Sequence, residues 1–229
     1  MKLAVMQPYF FPYIGYFQLM MAVDHFVFFD DVNYITRGWI NRNVILGHQQ
    51  AQRITLPVKA ASQNRHIDEH ERLPIPKKLL DTLYQNYRKA PCFGRAFPLI
   101  EQCLTNEETN LARFLSTSLI RTADYLGIET EWLTSSQIEQ DPTQRGTQKI
   151  LDLCQTLQAT HYVNLPGGTA LYDREQFRAH GIALEFIAPH DICYPQFSAP
   201  FVPMLSIIDL IMFNTPSQCQ RFLRAYDLR

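Results

Sequence analysis

The chain has 229 residues, 46% hydrophobic and 19% charged, with a formal net charge of −1. That length and apolar content suit a single α/β domain over 1–229, and the near-neutral balance without any lysine- or arginine-rich run excludes nucleic acid as a main partner. Five scattered cysteines without a CxxC pair, and a Met1-Lys2 start that leads into a strand rather than a secretory apolar segment, predict reduced thiols and a cytoplasmic location.

Leu3 to Met6 is a short apolar run that stops at Gln7-Pro8, and an aromatic loop, Tyr9 to Tyr13, follows. Ile14, Phe17, Met20 and Met21 recur at helical spacing, and a second apolar run, His25 to Phe29, ends in Asp30-Asp31. Strand, loop, short helix, strand is the order of a right-handed βαβ crossover with parallel strands. In open parallel sheets ligands bind beyond the carboxyl ends of the strands. Gln7 and Asp31 therefore belong to one edge of the sheet.

The segment after the second run concentrates chemistry. Asp30, Asp31, Asn33, Tyr34, Arg37, Trp39, Asn41, Arg42 and Asn43 lie within fourteen residues. Arginine forks and amides recognise phosphates, carboxylates and sugar hydroxyls, and aromatic rings stack on sugars or bases. The plainer reading is a polar hairpin whose asparagines and aspartates satisfy its turns.

Val44 to Leu46 and Arg53 to Val58 read as strands about a turn at Gly47-His48. His66 and His70 have an HxxxH spacing, but Pro74 and Pro76 follow closely, so a solvent-exposed loop without a metal is expected there. Helical spacing recurs over 77–89, 95–104 and, most clearly, 108–127, where Gly127 stands at the left-handed cap position. These three make a helical insert at approximately 60–127.

Ile128 to Leu133 is a further strand, followed by Ser135-Ser136 and a polar linker through Arg145. Helix 148–158, strand 161–164, the Pro166-Gly167-Gly168 turn, a short helix 173–180 with an Asp-x-x-Gln start and strand 182–187 complete a second β-α-β-α-β run. A loop over 195–200 precedes a helix over 203–213, whose Asp209 within an apolar stripe requires a hydrogen-bonding partner. Thr215-Pro216-Ser217-Gln218 marks the start of a last helix. The longest late apolar stretch, 201–213, is broken by Pro203, Ser206 and Asp209, so nothing membrane-embedded is expected. The fold class is α/β, with a Rossmann-like parallel sheet.

MQPYFFPYIGYFQL followed by FDDVNYITRGWINRN resembles the signature of the WbqC-like family of bacterial O-antigen and other surface-polysaccharide contexts. YQNYRKAPCFGRAFP (84–98), GTQKILDLC (146–154), ATHYVNLPGG (159–168), Tyr172 and Tyr194-Pro195-Gln196 fit the same pattern, so the resemblance runs along nearly the whole chain. It implies a transferase that adds an aminoacyl group, glycyl, to an amino sugar.

Tyr13-Ile14-Gly15-Tyr16 stands where nucleotidylyltransferase-like folds carry His-x-Gly-His, whose imidazoles bind nucleotide phosphates. Tyrosine can donate a hydrogen bond but brings no positive charge at neutral pH, so the fold parallel is stronger than the parallel in activity. Arg37, Arg42 or Arg145 could supply that charge. Gly167 and Gly168, with Asn164 and Tyr172 beside them, form a second wall, since glycine lets backbone amides approach an anion closely. No Gly-x-Ser-x-Gly elbow is present, and Cys154 and Cys193 read as inert thiols or acyl acceptors.

The expected catalytic group is Asp30, Asp31 and Arg37, with Asp30 or Asp31 as base or amine anchor. The expected substrate contacts are Gln7, Tyr13, Tyr16, Asn33, Trp39, Asn41, Arg42, Asn43, Arg145, Asn164, Gly167, Gly168 and Tyr172. The expected partner is a small molecule, an activated sugar or amino acid donor, with ATP or another nucleotide as the candidate cofactor. The alternative is a non-catalytic module that binds a nucleotide sugar or a partner enzyme.

Overall fold

The computed structural model describes residues 1–48, 50–198 and 200–229. In chain order the first part forms β1 (Lys2–Met6), α1 (Ile14–Met21), β2 (His25–Phe28), β3 (Arg42–Gly47) and β4 (Gln50–Thr55). Three helices follow, α2 (Lys77–Tyr87), α3 (Phe93–Leu104) and α4 (Leu111–Leu126). The chain then returns through β5 (Glu131–Thr134), α5 (Gly146–Thr156), β6 (His161–Asn164), α6 (Arg174–Ala179) and β7 (Ala183–Pro189). It closes with α7 (Ile207–Phe213), α8 (Pro216–Leu223) and β8 (Tyr226–Leu228).

Six strands make one sheet in the order β5-β2-β1-β6-β7-β8, parallel throughout except for the β7–β8 pair. The fold is α/β and Rossmann-like. The first strand lies in the middle, and the chain builds β2 and β5 on one side before crossing to β6 and β7. The order therefore reverses between β1 and β6, which is where a crevice opens in this class of sheet.

Alternation along the strands assigns the two faces. Ala4, Phe26 and Phe28 join the core made with α1, α4, α7 and α8, while Leu3, Val5 and Val27 join the core under α5 and α6. Fully burying each Phe contributes roughly 1.5–3 kcal/mol, so the double-sided burial that makes these runs continuously apolar also holds the sheet. Helix α1 is buried nearly all round, with Tyr16, Phe17, Leu19 and Met20 at 0% exposure. Its faces are thus less distinct than the expected stripe of Ile14, Phe17, Met20 and Met21 implies.

The β3–β4 pair is an antiparallel hairpin outside the main sheet. It shares a core with α2, α3, α4 and the sheet, where Ile45, Ile54, Leu83, Ile100 and Phe114 belong to the same apolar cluster as Phe26. The residues expected to be an exposed loop at 66–70 are not one. Ile67 and His70 are completely buried about a single 3-10 turn, Ile67–Glu69, because His70 fills space against Tyr34 at 4.8 Å between ring centroids.

Several local signals operate as expected. Gly127 caps α4 with φ +68°, and Thr215 and Gln218 make a reciprocal capping box on α8. Asp173 caps α6 by accepting from Glu175 N at 3.0 Å. Helix α7 starts later than the expected position 203, because the Ser206 side chain accepts from Ile208 N and fixes the first turn there. Gln49, and Ala199 within the expected 195–200 loop, lie outside the described residues.

Candidate active site

The loop after β1 is anchored from within. Tyr16 Oη donates to the Gln7 carbonyl at 2.8 Å, and Asn43 Nδ2 donates to the carbonyls of Phe10 (3.0 Å) and Phe11 (2.8 Å). Phe11 takes φ +42°, a costly conformation for a non-glycine residue that these bonds and its burial hold in place. Tyr16 and Asn43 thus shape the loop.

The two aspartates after β2 divide their work. Asp30 is 4% exposed, and its carboxylate accepts from Ser135 Oγ (3.0 Å), Ser136 N (3.0 Å) and Ser136 Oγ (2.7 Å). It pins the end of β2 to the turn after β5. Asp31 faces the other way. Its Oδ2 accepts from Lys149 Nζ at 2.6 Å and Gln140 Nε2 at 3.0 Å, and Ser135 Oγ reaches Oδ1.

Lys149 also lines this candidate site, and nothing in its local sequence singles it out. It lies on the first turn of α5, its side chain is 9% exposed, and it also donates to the Asp31 carbonyl at 3.1 Å. The ammonium lies 5.3 Å from the centre of the Phe29 ring. Lysine is almost never buried without a counter-charge, so the Asp31 contact accounts for its position.

This pair lies at a cleft of about 380 Å³ lined also by Gln7, Asn33, His66 and Arg145. The cleft sits beyond the carboxyl ends of β1 and β2. Gly146, the first residue of α5, is in its wall, so a helix amino end faces the same space. Gln7 Oε1 is buried without a hydrogen-bond partner. Asp31 and Lys149 line the cleft with their carboxylate and ammonium engaged mainly with each other.

The WbqC-like protein family model matches residues 7–221, a span that includes every residue of this cleft. The chain belongs to the WbqC-like family. A relative from Mycobacterium tuberculosis, "Uncharacterized protein Rv1507c", is 31% identical over 237 residues, covering 97% of each chain. No solved structure matches the chain. Among the described residues, no helix is long and apolar enough to cross a membrane.

The WbqC-like signature stretch does not converge on one point. Gln7, Asp31 and Asn33 reach the cleft together with Arg145. Arg37 is exposed with φ +61° and Trp39 is 53% exposed, both outside the cleft lining. Asn41 Nδ2 donates to Leu56 O at 2.9 Å, and Arg42 Nε donates to Gly38 O at 2.7 Å, so both serve the hairpin.

The second wall is built from beneath. Asn164 Nδ2 donates to Tyr162 Oη at 3.0 Å while its Oδ1 accepts from Leu165 N, and Tyr172 stacks edge-on against Tyr162. Gly168 is close-packed here, since a Cβ would stand 3.2 Å from Asn164 and 3.3 Å from Tyr172. Gly167 instead lines a separate chamber of about 670 Å³ with Tyr13.

The HxxxH spacing makes no site of its own. His70 Nδ1 donates to His66 O at 2.7 Å and Nε2 accepts from Ser62 N at 3.1 Å, so both ring nitrogens are engaged. His66, Asp68 and Glu69 bring ligand atoms within 4.8 Å of one another, but Glu69 Oε2 accepts from His66 N at 2.6 Å. Asp209 has the partners its burial demands. Tyr87 Oη donates to Oδ1, and Tyr194 Oη and Gln196 Nε2 donate to Oδ2.

Proposed function

We propose that the cleft binds an activated amino sugar of surface-polysaccharide biosynthesis and transfers an aminoacyl group, glycyl, to its amine. The observation that carries this reading is the buried Lys149–Asp31 pair, 2.6 Å apart, in the wall of the cleft beside Arg145. Family membership, which suggests a surface-polysaccharide-related role, supports it. In this reading Asp31 holds the sugar amine. Lys149, Arg145 and the amino end of α5 take the phosphate of the activated sugar. Gln7 Oε1 and Asn33 accept and donate at sugar hydroxyls.

The amine lone pair attacks the carbonyl carbon of an activated aminoacyl donor and the C–N bond forms. The bond from that carbon to the leaving group breaks, the leaving group departs with the electron pair, and the amine proton passes to the Asp31 carboxylate.

One observation favours a second reading, a non-catalytic nucleotide-sugar binding module. Asp31 already accepts from Gln140 and Lys149 and shares the single Ser135 hydroxyl proton with Asp30, which suits a fixed anchor better than a base. Calorimetry with a UDP-amino sugar, combined with a mass-spectrometric transfer assay using a preformed glycyl thioester as the activated donor, separates the two. Transfer lost in Asp31→Asn with binding retained supports the enzyme. Binding without any transfer in the parent protein supports the module. Absence of binding, or binding unchanged in Lys149→Ala, removes both.

A further inference from the structure

The chamber that holds Tyr13 and Gly167 shares no lining residue with the cleft, and its volume of about 670 Å³ falls within the ~300–1,000 Å³ range of small-molecule sites. Its walls are largely apolar, with Ile14, Ile192, Phe201 and Leu205 among them. Cys193 and Met204 in the wall are exposed, so the chamber is open to solvent. Among the described residues no lysine or arginine lines it, and its two titrating charges, His190 and Asp191, are both exposed. Nothing there holds a phosphate.

The polar group at depth is Gln18, a wall residue with 0% exposure. Its Nε2 donates to the carbonyls of Phe222 (2.9 Å) and Ala225 (3.2 Å), neither of which lines the chamber. Oε1 has no hydrogen-bond partner among the described residues. Turning the amide over would set its oxygen against two carbonyl oxygens, so the orientation is fixed. A buried acceptor left unpaired is costly, and a donor brought by a ligand removes that cost. Tyr194 Oη, another polar atom of the wall, offers no donor in return, because it already donates to Asp209 Oδ2 at 2.7 Å.

A charged ligand would give up its hydration against these apolar walls without a buried counter-charge. A nucleobase would bring ring acceptors that meet no buried donor. The match is an uncharged molecule with a donor and no acceptor at its buried end. We propose that the chamber is a binding site for an uncharged, largely apolar ring compound whose single N–H donates to Gln18 Oε1. This site goes beyond the cleft reading and does not depend on it.

The test uses indole, which has one N–H and no acceptor, and 1-methylindole, which lacks the N–H and is the more apolar of the two. Cys193 lies in the wall, so the rate of its alkylation by iodoacetamide reports occupancy. Both probes should slow that rate saturably in the full chain, with indole half-saturating at a concentration about tenfold lower. Apolar burial alone favours 1-methylindole, so it cannot produce this order. Gln18→Met should abolish the preference. Ile192→Trp, which fills the chamber, should weaken both probes with the melting temperature unchanged; if Gln18→Met fails to fold, this variant and the preference of the parent still decide. Absence of protection, equal or tighter binding of 1-methylindole to the parent, a preference that persists in Gln18→Met, or undiminished protection in Ile192→Trp would each overturn the assignment.

Discussion

Tyr87 Oη donates to Asp209 Oδ1 at 2.9 Å and accepts from Leu46 N at 2.9 Å, so one phenol joins α2, α7 and the β3–β4 hairpin through the interior. Burial raises the Asp209 carboxyl above its ordinary value of 3.8, and the bonds from Tyr194, Gln196 and Tyr87 only partly oppose that rise. A raised acid pKa means that the folded state holds the proton more tightly than the unfolded one. The stabilisation is full below 3.8 and is lost as pH rises through the raised value. The difference in melting temperature between the parent and Asp209→Asn, followed from pH 3 upward, should therefore shift against the parent as pH rises. A difference that is flat with pH would contradict this assignment.

Removing Lys149 should be felt in stability as well as in binding. Lys149→Ala leaves Asp31 as a largely buried carboxylate without its cation, and should cost about 3–5 kcal/mol in denaturant unfolding. Added salt should rescue little, because a buried pair is weakly screened. The double variant Lys149→Met with Asp31→Leu should be more stable than Lys149→Ala alone.

Asn43 gives a third expectation. Asn43→Ala removes both donors to the Phe10 and Phe11 carbonyls. The loss should be about 2–3 kcal/mol, the cost of buried acceptors left unpaired. Proteolysis between Tyr9 and Tyr13 should accelerate in parallel.

The thiols differ in reach. Cys193 is exposed, whereas Cys92, Cys103, Cys154 and Cys219 are buried. Burial pushes Cys103 up to about 11 and Cys154 and Cys219 up to about 12. Iodoacetamide at pH 8 should add to the native protein once, at Cys193, with the remaining thiols labelled only after denaturation. Rapid labelling of Cys154 would revive it as an acyl acceptor.

The parts legible in the sequence are those governed by near neighbours. The β1-α1-β2 unit follows from apolar runs of strand length around a short helix, and Gly127 and Thr215 announce their caps because a cap is a contact within one turn. Gln7, Asp31 and Asn33 can be placed at one edge from the sequence because they follow strands of one parallel sheet, and all three line the cleft. Lys149 cannot be so placed, since its partner lies 118 positions away and it is flanked by the apolar Ile150 and Leu151. Ser135 and Ser136 read as linker because their role is to bind Asp30, more than a hundred positions earlier. The strand β8 has only three residues, Tyr226–Leu228, and exists because β7 offers an edge. Arg37 and Trp39 drew attention by residue type, yet type alone does not say which way a loop turns.

The position of β1 has a consequence for how the protein is made. Its first partner, β2, follows within some twenty positions, but the strand that covers its other edge, β6, starts only at His161. During synthesis, more than a hundred residues leave the ribosome while the future centre of the sheet keeps one bare, apolar edge. Such an edge is a template for pairing with the wrong chain. Slow translation before His161 should therefore lower the yield of native protein, and chaperone capture of the nascent chain should fall once β6 emerges.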